Sequence, residues 1–470
     1  GDLQFKVWPG RYDREGLRDA LRPGPIPPDG DSTITDAKIY FERQIRDWVG
    51  AGGPAAVSRL DALHDTLDGL LQLVSIQLDG TADAQVVFET LNSRGADLTS
   101  LDLAKNSLLH QAERDGLDVA ALHDQHWEPS LGDAGYWLEQ VRQGRYTRER
   151  SDLFLMHWLT MKLSEPARGQ HLFADFRNKV LRSEPPPSVG DLIPELCRDA
   201  RLFRSFDNLD PSEPEGRFFK RLNQMDTTTL LPVALRLFRN DDLLASKRLR
   251  ALRALESWLV RRMILGATTQ HYNRLLGQLL TRMNEESAES ADEVIIRRLK
   301  EFDSQTDRWP GDAEVRARLE SQPLYGWISQ KRICMLLEAC EYHLAQNSGA
   351  EMIPLPEGLT VEHALPQEWH QYWPIPTGAA DPEAAVAERD ARVHRLGNLT
   401  LVTQKLNSSL SNAEWQTKRA ALRTRSQLLI NQRLCENESW TEASIDSRSA
   451  DLASRILATW PGPDDQTWSS

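Results

Sequence analysis

Apolar residues recur at three- and four-residue spacing through most of this chain, a period that predicts helices. It is present early, in "ITDAKIYFERQIRDWV" (34–49), and it dominates from about 116 to 345. The clearest segments there are "SDLFLMHWLTMKL" (151–163), "LLPVALRLFRN" (230–240), "KRLRALRALESWLVRRMIL" (247–265) and "QKRICMLLEACEYHLA" (330–345). Two Pro-rich stretches interrupt the pattern, "RPGPIPPDGDS" (22–32) as a loop and "RSEPPPSVGD" (182–191) as a break between helical blocks. Strand-like runs are few. "LQFKVWPGRYDREGLRDAL" (3–21) reads as a strand entering a helix, and "LLQLVSIQL" (70–78) is the best strand candidate of the first half. Short strands are expected near 360 and 399, followed by helices that end in "WTEASIDSRSADLASRILATW" (440–460). No fixed-length repeat supports a solenoid. The expectation is a mainly α protein with small α+β portions, divided as 1–115, a helical connecting region 116–324, and a mixed C-terminal domain 325–470.

Length and charge narrow this picture. A chain of 470 residues is too long for one core. Its net charge of −13 argues against a protein that coats nucleic acid along its whole surface, while leaving room for a local basic face. Cysteines 197, 334, 340 and 435 form no CxxC pair, so reduced, buried thiols are expected and a structural zinc is not. No apolar run approaches the roughly 18 residues that span a bilayer. "GDLQFKVWPG" lacks a signal-peptide layout. The expected location is the cytoplasm, with no membrane partner.

The candidate chemistry lies near the C-terminus. "TVEHALPQEW" (360–369) places Glu362 directly before His363 at the end of a short strand. Hydrolysis of a phosphodiester needs a group that takes a proton from water near neutral pH, which suits histidine. It also needs positive charge on the phosphate, which Mg²⁺ supplies while holding only one or two protein oxygens. Strand neighbours point to opposite faces, so Glu362 and His363 can share a site only at a strand end or a local twist. Further on, "RLGNLTLV" reads as a turn and strand in which Asn398 holds a loop through its amide. Asn407 stands near the start of the next helix, and its amide oxygen is a hard donor able to join Glu362 on a metal. Residues 392–433 carry eight Lys/Arg against Glu414 alone, a concentration that suits phosphate contact. Taken one at a time, each of these features is more often ordinary packing or solvated surface. Their order and spacing together point to a site.

The blocks "VEHALPQ…W", "HRLGNLTLV", "NSSLSNAEWQTK" and "SWTEASIDSRSADLASRILATW" resemble, in that order, the HNH nuclease domain of GmrSD-type modification-dependent restriction enzymes over roughly 325–465. The resemblance implies a C-terminal HNH (ββα-metal) domain embedded in helices. It implies His363 as general base, Glu362 and Asn407 as metal ligands, and Asn398 as the catalytic-loop asparagine. Lys418 and Arg395 become phosphate contacts, with an exposed structural lysine the alternative for Lys418. Asn412 and Trp415 match as structural positions, and His394 is open between packing and phosphate contact.

Upstream, "FETLNSRGADLTSLDLAKNSLL" (88–109) reads as a turn followed by a helix capped by Thr99 or Ser100. It resembles the second signature of the partner GmrS-type, ParB-like domain, which in relatives binds and hydrolyses nucleotide. That makes Asn92, Arg94 and Gly95 candidates for a nucleotide- or DNA-sensing surface. The first signature of that domain, an Asp-Gly-Gln-Gln-Arg stretch, is absent from this chain. An upstream portion is therefore expected to be missing, and a nucleoside triphosphate is expected only together with it. The function expected overall is a metal-dependent (Mg²⁺ or Mn²⁺) endonuclease acting on double-stranded, modified foreign DNA. The alternatives are a catalytically inactive DNA- or nucleotide-binding regulator and a helical adaptor, and a homo-oligomer stays open.

Overall fold

The structure is a computed structural model that describes residues 13–24, 32–72, 98–143, 146–286, 290–349, 355–371, 373–375 and 381–468. The chain forms two compact units, residues 1–96 and 97–470. In the first, helices run over Arg14–Leu21, Thr33–Val49 and Pro54–Asp65, the second capped by the Ser32 hydroxyl on the Ile34 N–H. The strand expected at 70–78 begins there as the end of a helical turn at Leu70, and 73–78 lie outside the described residues, as does the expected strand at the start.

The second unit starts with α1 (Ser100–Arg114). Thr99 caps it, accepting from the Asp102 N–H while the Asp102 carboxylate accepts from the Thr99 N–H. Its buried stripe, Leu101, Ala104, Leu108 and Ala112, enters the large core shared by the helices C-terminal to it. The boundary expected at 115 lies inside this second unit, which begins at residue 97. One short antiparallel hairpin, β1 (Gln140–Gln143) and β2 (Tyr146–Glu149), lies in a region expected to be helical. Helices α2 (Arg150–Leu163) and α4 (Ala245–Ile264) fall where the periodicity places them, while α3 (Val189–Ser205) begins inside the stretch 182–191 expected as a break. All four cysteines are free and buried. Among the described residues no helix is long and apolar enough to cross a membrane.

Helix α4 organises the surroundings of the C-terminal region. Its Arg261 is buried and donates to the Trp460 carbonyl (2.7 Å), the Pro310 carbonyl (2.9 Å) and Asp312. Ser257, one turn earlier, donates to the Pro461 carbonyl at 2.6 Å. The chain then runs through α5 (Asp312–Ser321) and α6 (Gln330–Ser348) to β3 (Leu359–His363). Next come α7 (Pro382–Val393), β4 (Leu399–Thr403), α8 (Gln404–Leu410), α9 (Trp415–Arg425), α10 (Leu429–Leu434) and α11 (Glu442–Thr459). β3 and β4 pair antiparallel with Val361 opposite Leu401, Glu362 opposite Thr400 and His363 opposite Leu399.

This two-stranded sheet separates two cores. Val361, Leu399 and Leu401 face the large helical core, whereas Val402 joins a smaller one with Leu406, Leu410, Trp415, Leu422 and Trp440. The alternation along each strand therefore assigns one face to the helical body and the other to α8 and α9.

Two outcomes are expected. Arg261→Met leaves the Trp460 and Pro310 carbonyls without their donor in a dry interior, and should cost about 2–4 kcal/mol, read from the denaturant midpoint. His157, buried on α2, has its pKa pushed down to about 3 by burial. The folded state keeps it neutral while the unfolded chain protonates it near 6.5, so stability is complete above pH 6.5 and falls as pH drops toward 3. Melting temperature should decline from pH 7 to pH 5, and His157→Leu should flatten part of that decline.

Candidate active site

The turn "LGN" between α7 and β4 is the part of the site most tightly specified. Asn398 is fully buried, and its amide makes four hydrogen bonds. Nδ2 donates to the carbonyls of Leu365 and Val393, both at 2.8 Å. Oδ1 accepts from the Leu365 N–H at 2.7 Å and from the Trp440 indole at 3.0 Å. Every donor and acceptor of the side chain is used. Asn398 therefore shapes the loop, as its turn context suggests, and acts through the segments it holds. Gly397 beside it lies so close to α11 that an added Cβ would stand 2.0 Å from the Ile445 carbonyl oxygen. Arg448 of α11 donates to the Gly397 and Leu399 carbonyls (2.6 and 2.7 Å) and closes the turn from the other side.

Glu362 and His363 occupy the last two positions of β3, and the sheet sends them to opposite faces. Glu362 lies on the face of α8 and α9, His363 on the face of the helical body. Lys418 of α9 spans them: Nζ donates to Glu362 Oε1 at 2.6 Å and to the His363 carbonyl at 2.7 Å. Lys418 is 1% exposed. This corrects its expected role, since an ammonium already bound to a carboxylate and a carbonyl inside the protein is not a surface contact for phosphate. Burial raises the Glu362 pKa against the pull of Lys418 and lowers that of Lys418 against the pull of Glu362.

His363 is 6% exposed, and burial, His394 and Lys418 push its pKa down to about 3. Its Nε2 lies 3.3 Å from His394 Nδ1. The Tyr325 ring meets His363 edge-on at 4.6 Å and stacks on His394 at 5.4 Å. Tyr325, which meets both histidines, is a neighbour of the site that the sequence does not single out. It comes from the segment between α5 and α6, and no local pattern marks it. The His394 carbonyl accepts from the N–H groups of Leu324 and Tyr325 (2.8 and 3.1 Å), which binds that segment to the site.

Asn407, on α8, donates through Nδ2 to Thr360 Oγ1 (2.9 Å) and the Val361 carbonyl (3.1 Å). A carbonyl can only accept, so this fixes the amide with Oδ1 turned away from β3. Thr360 and Glu362 share a strand face, so Asn407 and Glu362 lie on the same side of the sheet. Among the described residues no side-chain hydrogen bond engages His363 Nδ1, Glu362 Oε2 or Asn407 Oδ1, although the Glu362 carboxylate also interacts with the His363 N–H. The three atoms are a base and two hard oxygens.

The basic run divides. Arg395 and Arg392 pair with Asp446, Arg395 through Nη1 at 2.9 Å, so Arg395 is not the open phosphate contact expected of it. Lys405, Arg423 and Arg433 are exposed with no hydrogen-bond or ion-pair partner among the described residues. Trp415 is buried and stacks on Trp440, as its structural assignment requires. Asn92, Arg94 and Gly95 lie outside the described residues.

Residues 309–455 match the family described as GmrSD restriction endonucleases, C-terminal domain. The matched span runs from the loop before α5 into α11 and contains every residue of the β3–β4 site. It begins ahead of the boundary expected at 325 and takes in Tyr325. Over this part of the chain the sequence is similar to the C-terminal domain of a restriction endonuclease family. No curated protein matches the chain.

The buried ion pair generates a test. Lys418→Met leaves the Glu362 carboxylate inside the protein without a countercharge and should destabilise by about 3–5 kcal/mol. Adding Glu362→Gln should recover most of that loss. A double-mutant cycle from urea denaturation measures the coupling, and a coupling near zero would mean that the pair is not formed in solution.

Proposed function

We propose that the C-terminal part of this chain is an HNH-type, metal-dependent endonuclease that hydrolyses phosphodiester bonds of modified foreign DNA, in defence against phage. The observation that carries the reading is that Glu362, His363 and Asn407 all stand on one β3–β4–α8 unit braced by Asn398, within the segment matched to the endonuclease family. The ParB-like reading of residues 1–115 stays part of the proposal, with its nucleotide-binding candidates outside the described residues.

Whether a divalent cation fits can be judged from the donors. Among the described residues no group of three or more His, Cys, Asp or Glu gathers, so a cage for zinc is not built. Mg²⁺ or Mn²⁺ asks for less: a carboxylate and an amide oxygen on one face, with water completing the shell, suit a hard ion. Glu362 and Asn407 would hold it, and when bound it would stabilise negative charge on the phosphate and the departing oxygen. The protein's own groups do the rest. His363, kept neutral by burial, takes a proton from water at Nδ1. The water oxygen gives its electron pair to phosphorus, the bond to the 3′-oxygen breaks, and that oxygen leaves as a hydroxyl after gaining a proton. Lys405, Arg423 and Arg433, exposed on a chain of net charge −13, provide local attraction for the DNA backbone.

A catalytically inactive DNA-binding regulator is the second reading. It is favoured by Lys418, whose ammonium occupies Glu362 Oε1. Incubation of plasmid and modified phage DNA with Mg²⁺ or Mn²⁺ separates the two. The nuclease reading expects cleavage that chelation stops, and a loss of at least about 10²-fold in His363→Ala with DNA binding retained in a gel shift. Binding without cleavage of any DNA, under every divalent ion tried, would leave the regulator.

A further inference from the structure

Two histidines share one short contact at this site, and which of them donates decides what His363 can do. A neutral imidazole carries one N–H. His363 presents Nε2 to His394, which presents Nδ1, at 3.3 Å. Either His363 donates from Nε2 and keeps its lone pair on Nδ1, or His394 donates from Nδ1 and His363 carries its proton on Nδ1, away from His394. In the first arrangement both rings adopt the Nε2–H tautomer that neutral histidine prefers in water. In the second both adopt the disfavoured one. The surroundings hold the contact in place: Tyr325 lies nearly parallel to His394 (15°) and edge-on to His363 (73°). The main-chain bonds from Leu324 and Tyr325 to the His394 carbonyl tie all three rings into one block.

We propose that His394 is a positioning residue: it accepts the Nε2 proton of His363, and so leaves the lone pair of His363 on Nδ1. This rests on the nuclease reading above. When water gives its proton to Nδ1, His363 becomes an imidazolium whose Nε2–H still points at His394. That hydrogen bond strengthens as the charge appears. His394 stays neutral and gains no proton, so the cation is held on His363 until the leaving oxygen or solvent takes the proton back. Sequence alone left His394 between packing and phosphate contact; the geometry packs it against Tyr325 and sets it against His363.

The test uses the full chain labelled with ¹⁵N-histidine, with His363→Gln to assign the His363 signals. The wild type should show a protonated Nε2 and a bare Nδ1 at His363. His394→Phe keeps a ring against Tyr325 and removes the acceptor, so His363 should become a mixture of tautomers. His394→Asn places an amide oxygen near the former Nδ1 and should restore the wild-type pattern. In cleavage assays His394→Phe should lower kcat roughly 10–100-fold, with KM for DNA within about twofold, and His394→Asn should regain most of it. A wild-type His363 protonated at Nδ1 would overturn the proposal, as would a tautomer unchanged in His394→Phe. Because the first of these is read on the wild type, a variant that fails to fold does not protect the idea. The expected tautomer in a chain that cleaves no DNA would refute the nuclease reading and uphold the hydrogen bond.

Discussion

The amide of Asn398 spends both of its N–H groups and both lone pairs of its oxygen in a space closed to water. Each such group left unmade in the interior would cost about 1–3 kcal/mol. Four bonds from one rigid side chain therefore admit little rearrangement among the segments they join. Those segments are the chain leaving β3 at Leu365, the end of α7 at Val393, and Trp440 at the approach to α11. Holding them fixes the ends of β3 and β4 against each other, and Glu362 and His363 stand at that end. Asn407 is placed in turn because α8 leaves β4 directly and its amide is pinned back onto Thr360 and Val361. The placement of the candidate chemistry depends on this amide.

Much of this was legible in the chain. The helices at 151–163, 247–265 and 330–345 obey the apolar period, and the strands near 360 and 399 fall where the short apolar runs place them. The β1–β2 hairpin was not legible, because "QVRQ" and "YTRE" are mostly charged or polar and resemble a helix surface. Asn398 was readable as a loop-holding amide from its turn context. Lys418 was misread, although the signal was present. Trp415, Lys418 and Leu422 are spaced by three and four residues along α9, so a lysine in phase with two core residues is drawn inside with them. Counting it among surface cations ignored that phase. Arg261 repeats the lesson on α4, where a guanidinium in phase with the core serves the carbonyls of two incoming loops.

Tyr325 and the partner of His363 belong to a different class. Tyr325, His363 and His394 come from three separate segments, and their meeting is a product of the β3–β4 pairing and of the main-chain bonds at His394. No periodicity carries that information, since it exists only after the tertiary contacts have formed. The division of the basic run has the same origin. Arg392 and Arg395 are consumed by Asp446, which lies on α11 more than fifty residues later, and only the fold shows which cations stay open to a phosphate chain.

The sheet places the two principal side chains in different surroundings. His363 is held on the helical face, by Tyr325 and His394, while Glu362 is held on the other face by Lys418 of α9. Their relative placement is therefore set by how the large core and the small core pack on either side of two short strands. Lys418 reaches both, through the Glu362 carboxylate and the His363 carbonyl. Close-packed interiors shift between discrete arrangements more readily than they deform. A displacement of α9 against the helical body would thus act on the Glu362 carboxylate and on the main chain of His363 together, through one ammonium. The relative placement of Glu362 and His363 is in this way a property of the contact between two cores.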